Sequence, residues 1–115
     1  KTSPVYETSV PERHNGIGVI VEDVLSAERC KEMYPALAML GTSFNQQRLS
    51  RVLRWVRKHK LSAVCVAFDD DADNMALKLI RGLTSVGVKA YIKNMKLDKD
   101  PKHMSTEELK GIVNG

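Results

Sequence analysis

One stretch constrains this chain more than any other: Ala63-Val64-Cys65-Val66-Ala67-Phe68-Asp69-Asp70-Asp71-Ala72-Asp73-Asn74. An apolar run ends abruptly in a cluster of acids, and a helical pattern follows it. The run has the length and composition of a strand buried on both faces, as in a parallel sheet. Its acids then fall at the carboxyl edge of the sheet, where open α/β folds place their ligands. Asp69 and Asp71 point to the same side of an extended chain, because side chains alternate along a strand. Two carboxylates held that close repel unless a cation or a proton compensates them. A hard divalent ion that takes oxygen ligands, Mg²⁺ or Mn²⁺, is the ordinary compensation. Asp73 and Asn74 are read instead as capping residues for the helix that follows.

The rest of the chain alternates strand and helix around this stretch. Ile17 to Val21 reads as a first central strand, and it too ends in acids, Glu22 and Asp23. A helix follows from about Leu25 to Met33, stopped by Pro35. Ala36 to Leu40 reads as a second strand, and Gly41-Thr42-Ser43 as the turn leaving it. From Phe44 to His59 the pattern is helical, with Leu49, Val52, Leu53 and Val56 as the apolar stripe. Arg48, Arg51, Arg54, Arg57 and Lys58 take the remaining face, and Trp55 is expected to project toward Arg48 and Arg51. A helix from about Asp73 to Val86 ends at Gly87, and Val88 to Ile92 reads as a fourth strand. After a polar loop, Ser105-Thr106-Glu107-Glu108 opens the last helix as a capping box.

This order predicts an α/β domain over residues 17–115, with a four-stranded, mostly parallel sheet and helices on both faces. Residues 1–16 carry Pro4 and Pro11 and no period, and read as an irregular lead-in, although Val5 and Tyr6 could pair as an edge strand. Glu22, Asp69 and the loop holding Asp98 and Asp100 all follow the carboxyl ends of strands. Three acidic segments far apart in sequence are thereby expected at one edge.

With 115 residues, 43% of them hydrophobic, there is material for one core and not for two. The opening Lys-Thr-Ser-Pro, without Met, marks the sequence as an expected piece of a longer chain. No apolar run approaches the ~20 residues that span a bilayer, and no signal-peptide pattern opens the chain. Cys30 and Cys65 show no paired spacing and form no zinc pattern with the three histidines, which suits buried thiols in a reducing, cytoplasmic compartment. The net charge is +4, with cations concentrated from Arg48 to Lys60 and from Lys93 to Lys102. That division suits a protein that brings a polyanion to a metal site, and it suits a merely soluble basic surface equally well.

From Gly18 to Val113 the chain resembles a Toprim domain, the catalytic module of bacterial-type primases, topoisomerases and some nucleases. The motifs that carry the resemblance are Val19-Ile20-Val21-Glu22, Phe68-Asp69-Asp70-Asp71, Leu40-Gly41-Thr42-Ser43 and Lys99-Asp100-Pro101. Glu22-Asp23-Val24-Leu25-Ser26-Ala27 is most similar to Toprim segments of phage primases and primase–helicases. The chain departs from the commoner primase pattern in having Asp23 where Gly stands, Ser26 where Asp stands, Asp70 where Gly is frequent, and Lys102 where an acid often follows the Asp-Pro.

The resemblance implies Mg²⁺-dependent nucleotidyl transfer, making RNA primers from ribonucleoside triphosphates on single-stranded DNA, in a bacterial or phage-infected cytoplasm. It implies Asp69 and Asp71 as metal ligands, Asp100 as a further one, and Glu22 as a ligand or a proton carrier. A replicative helicase, in the same or another chain, is a further implied partner. Arg48, Arg51 and Trp55 are candidates to meet a nucleic-acid backbone and stack on a base. The favoured alternative is that these arginines are solvated and Trp55 covers the edge of the core. Three other functions stay open: a Toprim nuclease or topoisomerase, a non-catalytic nucleic-acid-binding Toprim fold, and a phosphorylated receiver module. The receiver shares the Glu-Asp after the first strand but has no use for Asp69 and Asp71 as a pair.

Overall fold

The structure is a computed structural model that describes residues 5–40, 44–68, 73–93 and 101–114. Its strands are β1 (Val5–Glu7), β2 (Ile17–Val21), β3 (Ala36–Met39), β4 (Ala63–Val66) and β5 (Lys89–Ile92). They form one sheet in the order β1-β3-β2-β4-β5. The last four are mutually parallel, with Ile20 level with Leu37 on one side and Val66 on the other. The sheet therefore has five strands where four were expected. The additional one corrects the reading of residues 1–16 as irregular: β1 lies antiparallel to β3, with Tyr6 opposite Ala38. Three residues are too few to show a period. What holds them is the open edge of β3 and the burial of Val5 beside Leu37 and Met39.

The helices are α1 (Val24–Cys30), α2 (Gln46–Lys58), α3 (Asp73–Ser85) and α4 (Thr106–Asn114), with a 3₁₀ turn at Pro101–His103. Alternation along the strands sends Ile20, Leu37, Met39, Val64, Val66 and Phe68 to one side, where they meet Leu49, Val52, Trp55 and Val56 of α2 and Met75, Leu79 and Leu83 of α3. Val19, Val21, Ala36, Ala38, Cys65 and Ala67 face the other way, onto Ala27 and Cys30 of α1 and Leu109 and Val113 of α4. Helices thus cover both faces of the sheet. The buried thiols of Cys30 and Cys65 are free, and burial pushes each up to about 12.

Trp55 is where the helical pattern misleads most. It is fully buried and the largest side chain in the core, not a flank residue beside Arg48 and Arg51. The buried stripe of α2 is rotated from Leu53, which is only half-buried, toward Trp55. Gly18 on β2 makes the room: a Cβ there would lie 2.6 Å from Trp55 Cη2 and 2.5 Å from Leu61 Cδ1.

Two helices stop in the same way. At the end of α3, Gly87 (φ 89°) lets Val88 N–H reach Leu83 O at 3.0 Å while its own N–H bonds Thr84 O at 3.1 Å. At the end of α2 the same pair of bonds, Leu61 N–H to Val56 O and Lys60 N–H to Arg57 O, turns on Lys60 with φ 53°. This is the Schellman closure, in which glycine is the usual left-handed residue. Lysine there carries a conformational cost of about 1 kcal/mol that glycine does not.

Candidate functional site

The carboxyl edge of the sheet is built by adjacent strands β2 and β4. Their register pairs Ile20 with Val66, and Ala67 N–H continues the ladder by bonding Ile20 O at 2.9 Å. Carried on by two residues, that register puts Glu22 level with Phe68 just past the ends of the two strands. Phe68 is buried, which anchors the chain at the residue before Asp69. Beyond β4 on its other side, Lys93 N–H bonds Val66 O at 2.9 Å and carries β5 to the same edge.

The turn after β2 is tightly specified. Asp23 is the N-cap of α1, in extended backbone, and its Oδ1 accepts from Ser26 N–H at 2.7 Å. Its Oδ2 lies 3.7 Å from Lys102 Nζ. The segment that follows Asp100 and Pro101 is thereby held beside the Glu22-Asp23 turn. A second clamp lies nearly two turns along α1: Arg29 Nε donates to Met104 O at 3.1 Å and its Nη2 to Thr106 Oγ1 at 3.3 Å. The expected capping box of α4 is present, with Ser105 N–H bonding Glu108 Oε1 at 2.9 Å and Glu108 N–H bonding Ser105 Oγ at 3.1 Å.

Of the expected acids, Glu22 is described and stands half-buried at this edge. Asp69, Asp71 and Asp100 lie outside the described residues, as does the Gly41-Thr42-Ser43 turn. Among the described residues no group of three or more His, Cys, Asp and Glu side chains could hold a metal ion. Glu22 is an oxygen donor of the kind hard cations take, and both oxygens of Asp23 are engaged, by the cap and by Lys102.

The pair that sequence reasoning missed is Asp23–Lys102. Each was visible by itself as a departure from the commoner primase pattern. The structure makes them one feature, an acid and a base that arrive together where the pattern has a glycine and an acid. Opposite charges at two departures in adjoining motifs were the signal that could have found it.

The expected nucleic-acid residues are dispersed. Trp55 has no exposed surface, so its ring is out of reach of a base. Arg51 is half-buried and 4.0 Å from Glu7 Oε2 of β1. Arg48, in the first turn of α2, has Nη1 enclosed without a hydrogen-bond partner. Its own N–H is bonded by the N-cap, Asn45, at 2.9 Å.

The RNA polymerase domain of the primase DnaG of Mycobacterium tuberculosis, solved in complex with double-stranded DNA, is similar in structure. The TM-score is 0.62 at 20% sequence identity, over 86% of this chain and 34% of that one. The chain thus shares an α/β fold with part of a primase domain and spans about a third of its length. No family model and no curated protein matches the sequence. No helix among the described residues is long and apolar enough to cross a membrane.

Proposed function

We propose that this chain is the Toprim catalytic unit of a phage-type DNA primase, carrying out Mg²⁺-dependent nucleotidyl transfer to make RNA primers on single-stranded DNA. The observation that carries this reading is the level placement of Glu22 and Phe68 at adjacent strand ends, which brings the residue before Asp69 to the Glu22 edge. The hold of Lys102 on Asp23 supports it, because it draws in the segment after Asp100. The likeness to a primase RNA polymerase domain supports it through the fold.

In this reading Asp69 and Asp71 hold the ion, with Asp100 and Glu22 completing the oxygen set. When bound, such an ion neutralises the triphosphate and favours attack by a hydroxyl. Glu22 binds it directly or through water, or takes the proton that the hydroxyl gives up. Asp23 and Lys102 do no chemistry and fix the distance between the two acidic turns. A receiver module would order its parallel strands 2-1-3-4-5. Here the first four places match, but the antiparallel β1 beside β3 has no counterpart there and counts against that alternative.

The test is primer synthesis by the full-length protein carrying Asp69→Asn or Asp71→Asn. Each substitution is expected to abolish Mg²⁺-dependent synthesis and leave the thermal melt unchanged. Normal primer extension by both variants would overturn the proposal.

A further inference from the structure

From Phe44 to Phe68 the sequence holds six Lys and Arg residues and no Asp or Glu. The structure divides these cations. Arg48 and Arg51 are half-buried, with Arg51 beside Glu7 of β1. Arg54, Arg57 and Lys58 are exposed, and with Ser50 and Leu53 they line an open concavity of about 580 Å³. Among the described residues no carboxylate pairs with any of the three. We propose that this outward face of the carboxyl-terminal half of α2 is a docking surface for the phosphate backbone of single-stranded nucleic acid, remote from the candidate metal edge. The choice of polyanion rests on the function proposed above.

Three observations converge on an anionic occupant. Cations spaced three and four residues apart on a helix destabilise it by a few tenths of a kcal/mol per pair when nothing lies between them. The helix dipole favours Arg57 and Lys58 in the last turn, but it does not account for Arg54. Lys60 adds a further exposed cation just beyond, at a left-handed position where glycine closes the parallel turn of α3.

The occupant is a nucleic-acid backbone, on two grounds. An anionic membrane would need an apolar helix face to insert, and the apolar face of α2 (Leu49, Val52, Trp55, Val56) is buried in the core. An acidic protein would need a pocket for an apolar anchor, and among the described residues lining this concavity Leu53 is the single apolar side chain. The guanidinium forks of Arg54 and Arg57, with the Lys58 ammonium beside them, match repeated phosphates without either.

The location fixes what the surface does. Ser62 N–H bonds Gly16 O at 2.8 Å just before β2, so α2 ends at the amino edge of the sheet. Arg57 is about 13 Å along the helix from Arg48, at 1.5 Å per residue. The surface holds a strand and does not touch the reacting atoms.

The experiment is fluorescence anisotropy of the chain with a labelled oligothymidylate of about twenty nucleotides, without Mg²⁺, across a salt series. The triple variant Arg54→Gln/Arg57→Gln/Lys58→Gln is expected to bind more weakly. Its slope of log affinity against log salt should be shallower by about 2, so that its disadvantage shrinks roughly 15-fold between 50 and 200 mM salt. The control Lys78→Gln/Arg81→Gln, which removes two exposed cations of α3, should keep the parent slope. An unchanged slope in the triple variant, or an equal change in the control, overturns the inference. Competition by polyglutamate or phosphatidylserine vesicles as strong as that of unlabelled oligonucleotide overturns it in favour of an acidic protein or a membrane. Asp69→Asn should bind as the parent does. Failure of the metal reading therefore leaves this result standing, and oligonucleotide binding that ignores α2 removes this inference alone.

Discussion

The two faces of the sheet are held by different means. On the α2/α3 side the buried residues are large: Trp55, Phe68, Ile20, Leu37, Met39, Leu79 and Leu83. On the α1/α4 side the sheet presents Ala36, Ala38, Cys65 and Ala67 alongside Val19 and Val21 to Ala27, Cys30, Leu109 and Val113, a set smaller on average, and polar ties are added. Arg29 clamps Met104 and Thr106, Tyr91 Oη donates to Val113 O at 2.5 Å, and Asp23 meets Lys102. At the edge, Tyr6 Oη donates to Glu28, which also pairs with Lys31 at 2.5 Å. The first face is secured by apolar volume. On the second, small side chains leave less surface to remove from water, and directional bonds make up the difference. The turn carrying Glu22 and the segment after Asp100 are joined on this second, polar face.

The largest expected effect tests the volume face. Trp55→Ala should cost about 3–5 kcal/mol in urea unfolding, the usual range for emptying a large aromatic site. A cost below that of any polar-face substitution would reverse the ranking of the two faces. Next is Arg29→Ala, which frees a carbonyl and a hydroxyl and should cost about 2 kcal/mol. Its effect should be local, so limited proteolysis should cut residues 101–114 before the rest of the chain. Uniform digestion would show that α4 is not held by that clamp.

The smallest effect is a pH dependence confined to the polar face. Hydrogen bonds from Lys31 and Tyr6 hold the Glu28 carboxyl below its ordinary 4.5. This contributes stability that is present above that value and lost as pH falls through the folded-state pKa. The hydrogen bond to Glu28 raises Lys31 above 10.5 and Tyr6 above 10.0. Their contribution is complete below those values and lost as pH rises through the shifted ones. Glu28→Gln should therefore flatten the melting temperature against pH at both extremes. A profile that keeps its shape would remove these groups from the account.

The strands β2, β3, β4 and β5 and the helices were legible from period and composition, because their residues answer to local rules. β1 was visible only as the possible edge pairing of Val5 and Tyr6 within a segment read as irregular, since Val5, Tyr6 and Glu7 acquire their conformation from the exposed edge of β3. Trp55 was misplaced for a related reason. Its angle on α2 is a flank position, and only the missing side chain of Gly18, on a different element, turns it inward. At the candidate site Glu22 was legible as an acid ending a strand, whereas the expected gathering of acids around it falls on Asp69, Asp71 and Asp100, outside the described residues. The Asp23–Lys102 tie was not, because it depends on two turns meeting, which neither turn encodes by itself. The division of the α2 cations was equally hidden, since a helical wheel does not say which flank a neighbouring strand will cover.

β2 and β4 are interior strands, hydrogen-bonded on both sides. Amide protons in such strands exchange with solvent through opening of the whole molecule, whereas edges and helix ends exchange through local fluctuation. Glu22 and Phe68 are thus mounted on the slowest-breathing part of the protein. Exchange at Val21 and Val66, the last residues of these two strands, should therefore follow global unfolding.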